Sequence, residues 1–218
     1  MEGVKIMAFS VGPLGCNCSI VADEKAGKAI VVDPGGDFER IRDTLAAEKL
    51  AVAAIVHTHT HIDHVGATAP LQALTGAGAH IHEADRFLYR MLPVQAAMLG
   101  VPLPETCELS GALVDGASLS AGDLEMGVVH TPGHTPGSVS FVVKGAEGSV
   151  LFTGDTLFRR GIGRTDLWGG DSELILRSLH DRLLTYEDDT LVVPGHGPET
   201  TIGDERQLNP FLSRRAAR

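Results

Sequence analysis

The chain has 218 residues, 43% of them hydrophobic and 21% charged, the balance of an ordinary globular protein. Its 28 acidic residues against 18 basic ones leave a net charge of −10, which disfavours nucleic acid as a partner. No run approaches the roughly eighteen apolar residues of a membrane span, and the opening MEGVKIMAFSVG lacks the apolar centre of an export signal. Three cysteines, an odd number without such a signal, point to a reducing compartment, so a cytoplasmic location is expected.

In chain order, Val4–Val11, Ser19–Ala22 and Ala29–Asp33 are short β-branched runs bounded by glycine, proline or asparagine, and read as strands. Gly35-Gly36-Asp37 opens a helix, with Asp37 as the expected N-cap and Phe38, Ile41 and Leu45 on one face. Val52–His57 is a strand, and the following HTHTHIDHVG leads into a helix reaching about Leu74. Glu83–Leu99 is helical with an interruption at Pro93; its Met91, Leu92, Val94, Met98 and Leu99 belong either to the core or to one wall of a cleft. Leu124–His130, Ser138–Val143 and Val150–Thr153 return to strand. Asp171 caps a helix carrying Leu174, Ile175, Leu179 and Leu183, Thr190–Val193 is the last strand, and a short helix follows Gly203. Arg214, Arg215 and Arg218 read as a solvated basic tail. No repeat or linker divides residues 1–218, so the pattern predicts one α/β domain of two sheets with helices packed outside them.

The chemistry concentrates in His59-Thr60-His61-Ile62-Asp63-His64, four ligand-type side chains just after a buried strand. In extended backbone His59 and His61 point the same way, and the turn that follows can bring Asp63 and His64 alongside. Imidazole and carboxylate without thiolate suit zinc, iron or manganese. His134 in Thr131-Pro-Gly-His-Thr-Pro-Gly137, Asp155 in Phe152-Thr-Gly-Asp155 and His196 in Pro194-Gly-His-Gly-Pro198 each end an apolar strand beside glycine, where backbones approach closely. Together they complete two coordination sets. Cys16 and Cys18 form a C-x-C without a second pair and are expected to pack, as is Cys107. His80, His82 and His180 have no partner pattern and are expected to be ordinary.

These motifs resemble the metallo-β-lactamase superfamily, and most closely its short glyoxalase-II-like branch of hydroxyacylglutathione hydrolases. The similarity runs from Gly15-Cys-Asn-Cys18 to Asn209-Pro-Phe-Leu212. It implies a four-layer αββα sandwich, two mixed β-sheets flanked by helices, with the metals at the edge between the sheets. Carried over residue by residue, His59, His61 and His134 hold one ion, Asp63, His64 and His196 hold the other, and Asp155 bridges them. His57 stands where the family carries an aliphatic residue. With Thr135 and His130 it is expected behind the ligands rather than among them.

The implied activity is thioester hydrolysis, with S-2-hydroxyacylglutathione as the type substrate. Its nucleophile is a hydroxide shared by two divalent ions, zinc first, with iron or manganese compatible. Asp63 is expected to orient that hydroxide and move a proton. Arg164, in Gly163-Arg-Thr-Asp-Leu167, is expected either to hold a carboxylate of the thiol carrier or to pair with Asp166. Only about twenty residues follow His196, so the helical domain that contributes glutathione contacts in the full-length family is expected to be absent. The alternative is a sulfur dioxygenase with a single Fe2+, acting on glutathione persulfide through nearly the same ligand residues; Pro194-Gly-His-Gly-Pro198 resembles the hydrolases instead. The expected partner is a small acyl-thiol substrate, with no nucleic acid and no membrane, and the chain a monomer or homodimer.

Overall fold

Alternation along the strands decides the architecture. In the computed structural model, which describes residues 3–145 and 148–212, Ile30 and Val32 of one strand face a second sheet while Ala29 and Val31 face helices. The basic tail at Arg214, Arg215 and Arg218 lies outside the described residues.

The first sheet takes its strands in chain order: β1 (Val4–Val11), β2 (Cys16–Asp23), β3 (Lys28–Val32), β4 (Ala51–Val56), β5 (Gly78–His82) and β6 (Gly111–Leu113). β1 to β3 pair antiparallel and β3 to β6 parallel. The second sheet contains β7 (Ser118–Ala121), β8 (Leu124–His130), β9 (Val139–Gly145) and β10 (Gly148–Gly154). A small ribbon of β11 (Leu157–Phe158) and β12 (Gly161–Ile162) intervenes before β13 (Leu191–Pro194) and β14 (Thr200–Thr201), and the sheet order is β14-β13-β10-β9-β8-β7. Among the described residues β10 and β13 pair parallel and the other neighbours antiparallel, so both sheets are mixed.

Val21, Ile30, Val32 and Val56 of the first sheet meet Met126, Phe141, Phe152 and Val193 of the second in a buried interior. On the outer face of the first sheet lie α1 (Phe38–Ala47) and α3 (Thr68–Thr75), separated in the chain by α2 (Ile62–Val65). Next come α4 (Arg86–Arg90) and α5 (Leu92–Leu99), packed on Ile62, Val65 and Ile81. The outer face of the second sheet is covered by α6 (Ser172–Ser178), prolonged by a π-helical turn through Leu183, and by α7 (Ile202–Leu208). The fold is an αββα sandwich, as the sequence implied. Among the described residues no helix is long and apolar enough to cross a membrane.

Several local expectations change. β5, β6 and β7 have no counterpart in the pattern reading, because they are short and carry histidine, glycine or serine in place of β-branched residues. Asp37 occupies the N-cap position of α1 as expected, but its side chain does not cap the helix; its backbone is left-handed and its carboxylate accepts instead from Gly12 N–H at 3.0 Å. The helix expected to reach Leu74 is two helices, broken where Ala67 N–H turns aside to Pro34 O at 2.8 Å. Pro93 does not break its helix. It lies in the first turn of α5, where its missing N–H costs nothing, and the chain bends before it at Met91. Asp171 caps α6 as expected, accepting from Glu173 and Leu174 N–H at 2.9 and 2.8 Å.

Candidate metal centre

The strand ends explain why the ligand-type residues meet. β4 runs into His57-Thr58-His59, β8 into the turn with His134, β10 into Asp155 and β13 into His196. Because β10 and β13 are parallel neighbours, Asp155 and His196 emerge at the same edge, tied by Gly195 N–H to Gly154 O at 2.8 Å. A Cβ at Gly195 would lie 2.2 Å from Asp155 Oδ1, so only glycine permits this approach. Gly133, at φ +136°, packs against the backbone of Ile175 and sharpens the turn that carries His134.

Two sets of donors face each other. His59 Nε2, His61 Nδ1 and His134 Nε2 form the first, at 3.0 Å and 2.9 Å between neighbours. Asp63 Oδ2, His64 Nε2 and His196 Nε2 form the second, at 3.1 to 3.8 Å. Asp155 lies between: Oδ2 is 3.7 Å from His134 Nε2, and Oδ1 is 3.4 Å from His64 Nε2 and 3.7 Å from His196 Nε2. Nitrogen donors about 2.0–2.1 Å from a common cation lie roughly 3 Å apart, the spacing seen in the first set. Among the described residues, the buried side-chain nitrogen and oxygen atoms left without a hydrogen-bond partner are His61 Nε2 and Asp155 Oδ1, and the second lies within the cluster. The cluster fits a dinuclear metal site.

Electrostatics support that fit. Burial drives His59, His61 and His134 towards the neutral form that offers a lone pair, His61 down to about 3. Burial opposes charge on His64 and His196 as well, yet their neighbours hold both above the ordinary histidine range: Cys16, Asp155, Asp33 and Asp63 around His64, chiefly Asp63 beside His196. The second set thus attracts positive charge strongly. Burial likewise disfavours ionised Asp63, but His64 and His196 prevail and keep its carboxyl well below the usual range.

The residues behind the donors fix their orientation. His134 Nδ1 donates to the main-chain carbonyl of Arg164 at 2.7 Å, leaving Nε2 unprotonated. His64 Nδ1 bonds Asp33 Oδ2 at 3.0 Å, and Asp33 is itself held by Thr58 N–H and Oγ1 at 2.7 and 2.6 Å. The Asp85 carboxylate joins the two loops, accepting from Thr60 N–H, Thr135 Oγ1 and Gly137 N–H at 3.1, 2.9 and 2.6 Å; burial pushes its pKa up to about 6. Thr135 therefore supports the turn. His130 does so from the other side, Nε2 donating to Pro136 O at 3.0 Å while its ring stacks on His82. His57 touches no donor; it bonds His80 O at 3.1 Å and Thr68 Oγ1 at 2.8 Å and is a packing residue. Arg164 extends its guanidinium to Asp166 in a bidentate pair at 2.7 and 2.9 Å, with both side chains exposed.

Sequence reading missed Asp33, Asp85 and Asn17. Asn17 Nδ2 donates to Pro194 O and Gly197 O, both at 2.9 Å, and its N–H to Gly195 O at 2.7 Å, so it clamps both sides of His196. Replacing Asn17 with alanine is expected to weaken metal binding at the second set about 10–100-fold, leaving the first set unchanged, as read by stepwise metal titration.

An αββα sandwich with seven such side chains converging at one edge defines an enzyme of metallohydrolase type. The chain belongs to the metallo-β-lactamase superfamily, whose sequence pattern it matches over residues 11–196. The hydroxyacylglutathione hydrolase GloC of Haemophilus influenzae is 39% identical over 204 residues, spanning 90% of this chain and 92% of that one. The mitochondrial persulfide dioxygenase ETHE1 of Bos taurus is 30% identical over 213 residues, 92% of this chain and 73% of its own. Of solved structures, the BLEG-1 B3 metallo-β-lactamase superposes with a TM-score of 0.88 at 37% identity, over 96% of this chain and all 100% of that one. TTHA1623 in a di-iron-bound form gives 0.84 at 36% identity, over 94% and 100%.

Proposed function

We propose that the chain hydrolyses thioesters of a small thiol carrier, of the S-2-hydroxyacylglutathione type. The observation that carries this reading is Asp155, whose two oxygens face two separate donor sets, as a two-ion hydrolytic centre requires. The 39% identity to a hydroxyacylglutathione hydrolase supports the substrate class. His59, His61 and His134 would hold one divalent ion and Asp63, His64 and His196 another, with Asp155 available to both; bound there, the ions would supply a water ionised near neutral pH and an electrophile for the carbonyl. In the reaction the water oxygen bonds to the carbonyl carbon, the C–S bond breaks, and the thiol leaves with a proton. Asp63, held anionic beside His64 and His196, would orient the attacking water and take part in moving its proton. Asp33 and the Arg164 carbonyl keep His64 and His134 aimed throughout.

The Arg164–Asp166 pair is exposed and so worth little, which leaves the guanidinium free to exchange Asp166 for a substrate carboxylate at small cost. Arg164→Ala is expected to raise KM for a glutathione thioester about five- to tenfold with kcat unchanged, because the main-chain bond to His134 persists. An unchanged KM removes the guanidinium from binding. The free, buried thiols of Cys16 and Cys18 support a reducing compartment, the cytoplasm.

The 30% identity to a persulfide dioxygenase favours a second reading, oxidation of glutathione persulfide with a single iron. Metal analysis of the purified protein together with two assays separates them. The hydrolase reading expects two ions per chain and loss of thioester ultraviolet absorbance. One iron with oxygen uptake on glutathione persulfide establishes the second.

A further inference from the structure

A cavity of about 220 Å3 opens beside Asp63. One wall is the turn after β1, with Pro13 and Leu14; another is the loop after α5, with Val101 and Leu103; Ile62 and Asp63 close it on the metal side. Among the described residues lining it, Asp63 alone is ionisable. Leu14 and Leu103 keep 43% and 54% of their surface exposed. Exposed leucines gathered at the mouth of a pocket, next to reacting groups, mark a place where apolar surface is covered on binding. The stretch Met91 to Leu99, read from sequence as core or cleft wall, does not line this cavity; Leu92 is core, and Val94, Met98 and Leu99 are exposed.

The two ends of the site differ in chemistry. Arg164 bonds His134 of the first donor set through its carbonyl, whereas the cavity abuts Asp63 of the second. A carboxylate-bearing thiol carrier would find no basic side chain in the cavity lining, which apart from Asp63 is glycine, proline and aliphatic. We infer, resting on the hydrolase reading, that this cavity seats the acyl part of the thioester. The acyl group is an apolar chain, with or without a 2-hydroxyl. At roughly 30 Å3 per water-sized unit, the volume holds about seven heavy atoms. Val101, Leu14 and Leu103 then set acyl specificity.

The test uses metal-loaded protein and two homologous series. Glutathione thioesters from acetyl to decanoyl report turnover; S-alkylglutathiones from methyl to decyl, which cannot be cleaved, report binding by calorimetry. Each methylene entering the cavity is expected to raise kcat/KM, and the S-alkyl affinity, about two- to fourfold, levelling near six or seven carbons. Val101→Trp, which fills the cavity, is expected to erase the hexanoyl-over-acetyl preference. Leu103→Ser, at an exposed side chain that the fold does not need, is expected to reduce that preference several-fold. Acetyl turnover with a flat or falling chain-length profile, or a preference unchanged in Val101→Trp, overturns the acyl seat while hydrolysis stands. No thioester turnover with chain-length-dependent S-alkyl binding overturns hydrolysis and supports the apolar seat. No turnover and no such dependence overturns both.

Discussion

Replacing Asp155 with alanine is expected to lower thioester kcat/KM by about a thousandfold and metal content to below one ion per chain. Asp155 is the side chain whose two oxygens reach both donor sets, at 3.7 Å to His134 and 3.4 Å to His64. Its loss removes a donor from each side at once and leaves imidazoles crowded without the carboxylate that balances bound cations. Groups standing behind a ligand already cost about 10–100-fold when removed, so a shared ligand costs more. Elemental analysis and steady-state kinetics check this, with circular dichroism as the control for folding. Two ions retained and activity within tenfold of wild type would falsify the bridging role.

Stripping the metal with a chelator is expected to lower the melting temperature by about 8–16 °C. A ligand bound at about a thousandfold over its Kd stabilises by about 4 kcal/mol, and a chain of this size shifts about 2–4 °C per kcal/mol. The physical origin is the edge itself. Asp33, Asp63 and Asp155 and five imidazoles are gathered into a few ångströms, and without a cation their lone pairs and charges face one another. Scanning calorimetry of stripped protein, followed by return of Zn2+, Fe2+ or Mn2+, reads both the size of the shift and which ion restores activity best. A melting temperature indifferent to chelation and to all three ions would remove the metal from the fold.

The donor residues were legible because they sit in short, dense motifs at strand ends. A run such as His59-Thr-His61-Ile-Asp63-His64 announces itself without knowledge of the fold. Asp33, Asp85 and Asn17 do not, since what they hold lies far away in the chain: His64 is 31 positions from Asp33, and Pro194 is 177 from Asn17. Asp33 reads only as the end of a strand before Pro-Gly until its partner is located. The main sheets were legible from Val- and Ile-rich runs, whereas β5 to β7 were not, because their place in the ladder comes from neighbours already paired. Helix breaks were misplaced where tertiary contacts decide them, as at Ala67, whose N–H is taken by Pro34. Pro93 shows the converse: a residue read as an interruption lies in the first turn of its helix.

The bond from His134 to residue 164 runs to a peptide oxygen, and every amino acid has one. Position 164 can therefore change its side chain across generations without disturbing the imidazole it steadies. If the Arg164 side chain contacts substrate as proposed, ion retention and substrate choice are separable traits at this position, and a single substitution there would alter the second while the catalytic edge stays intact.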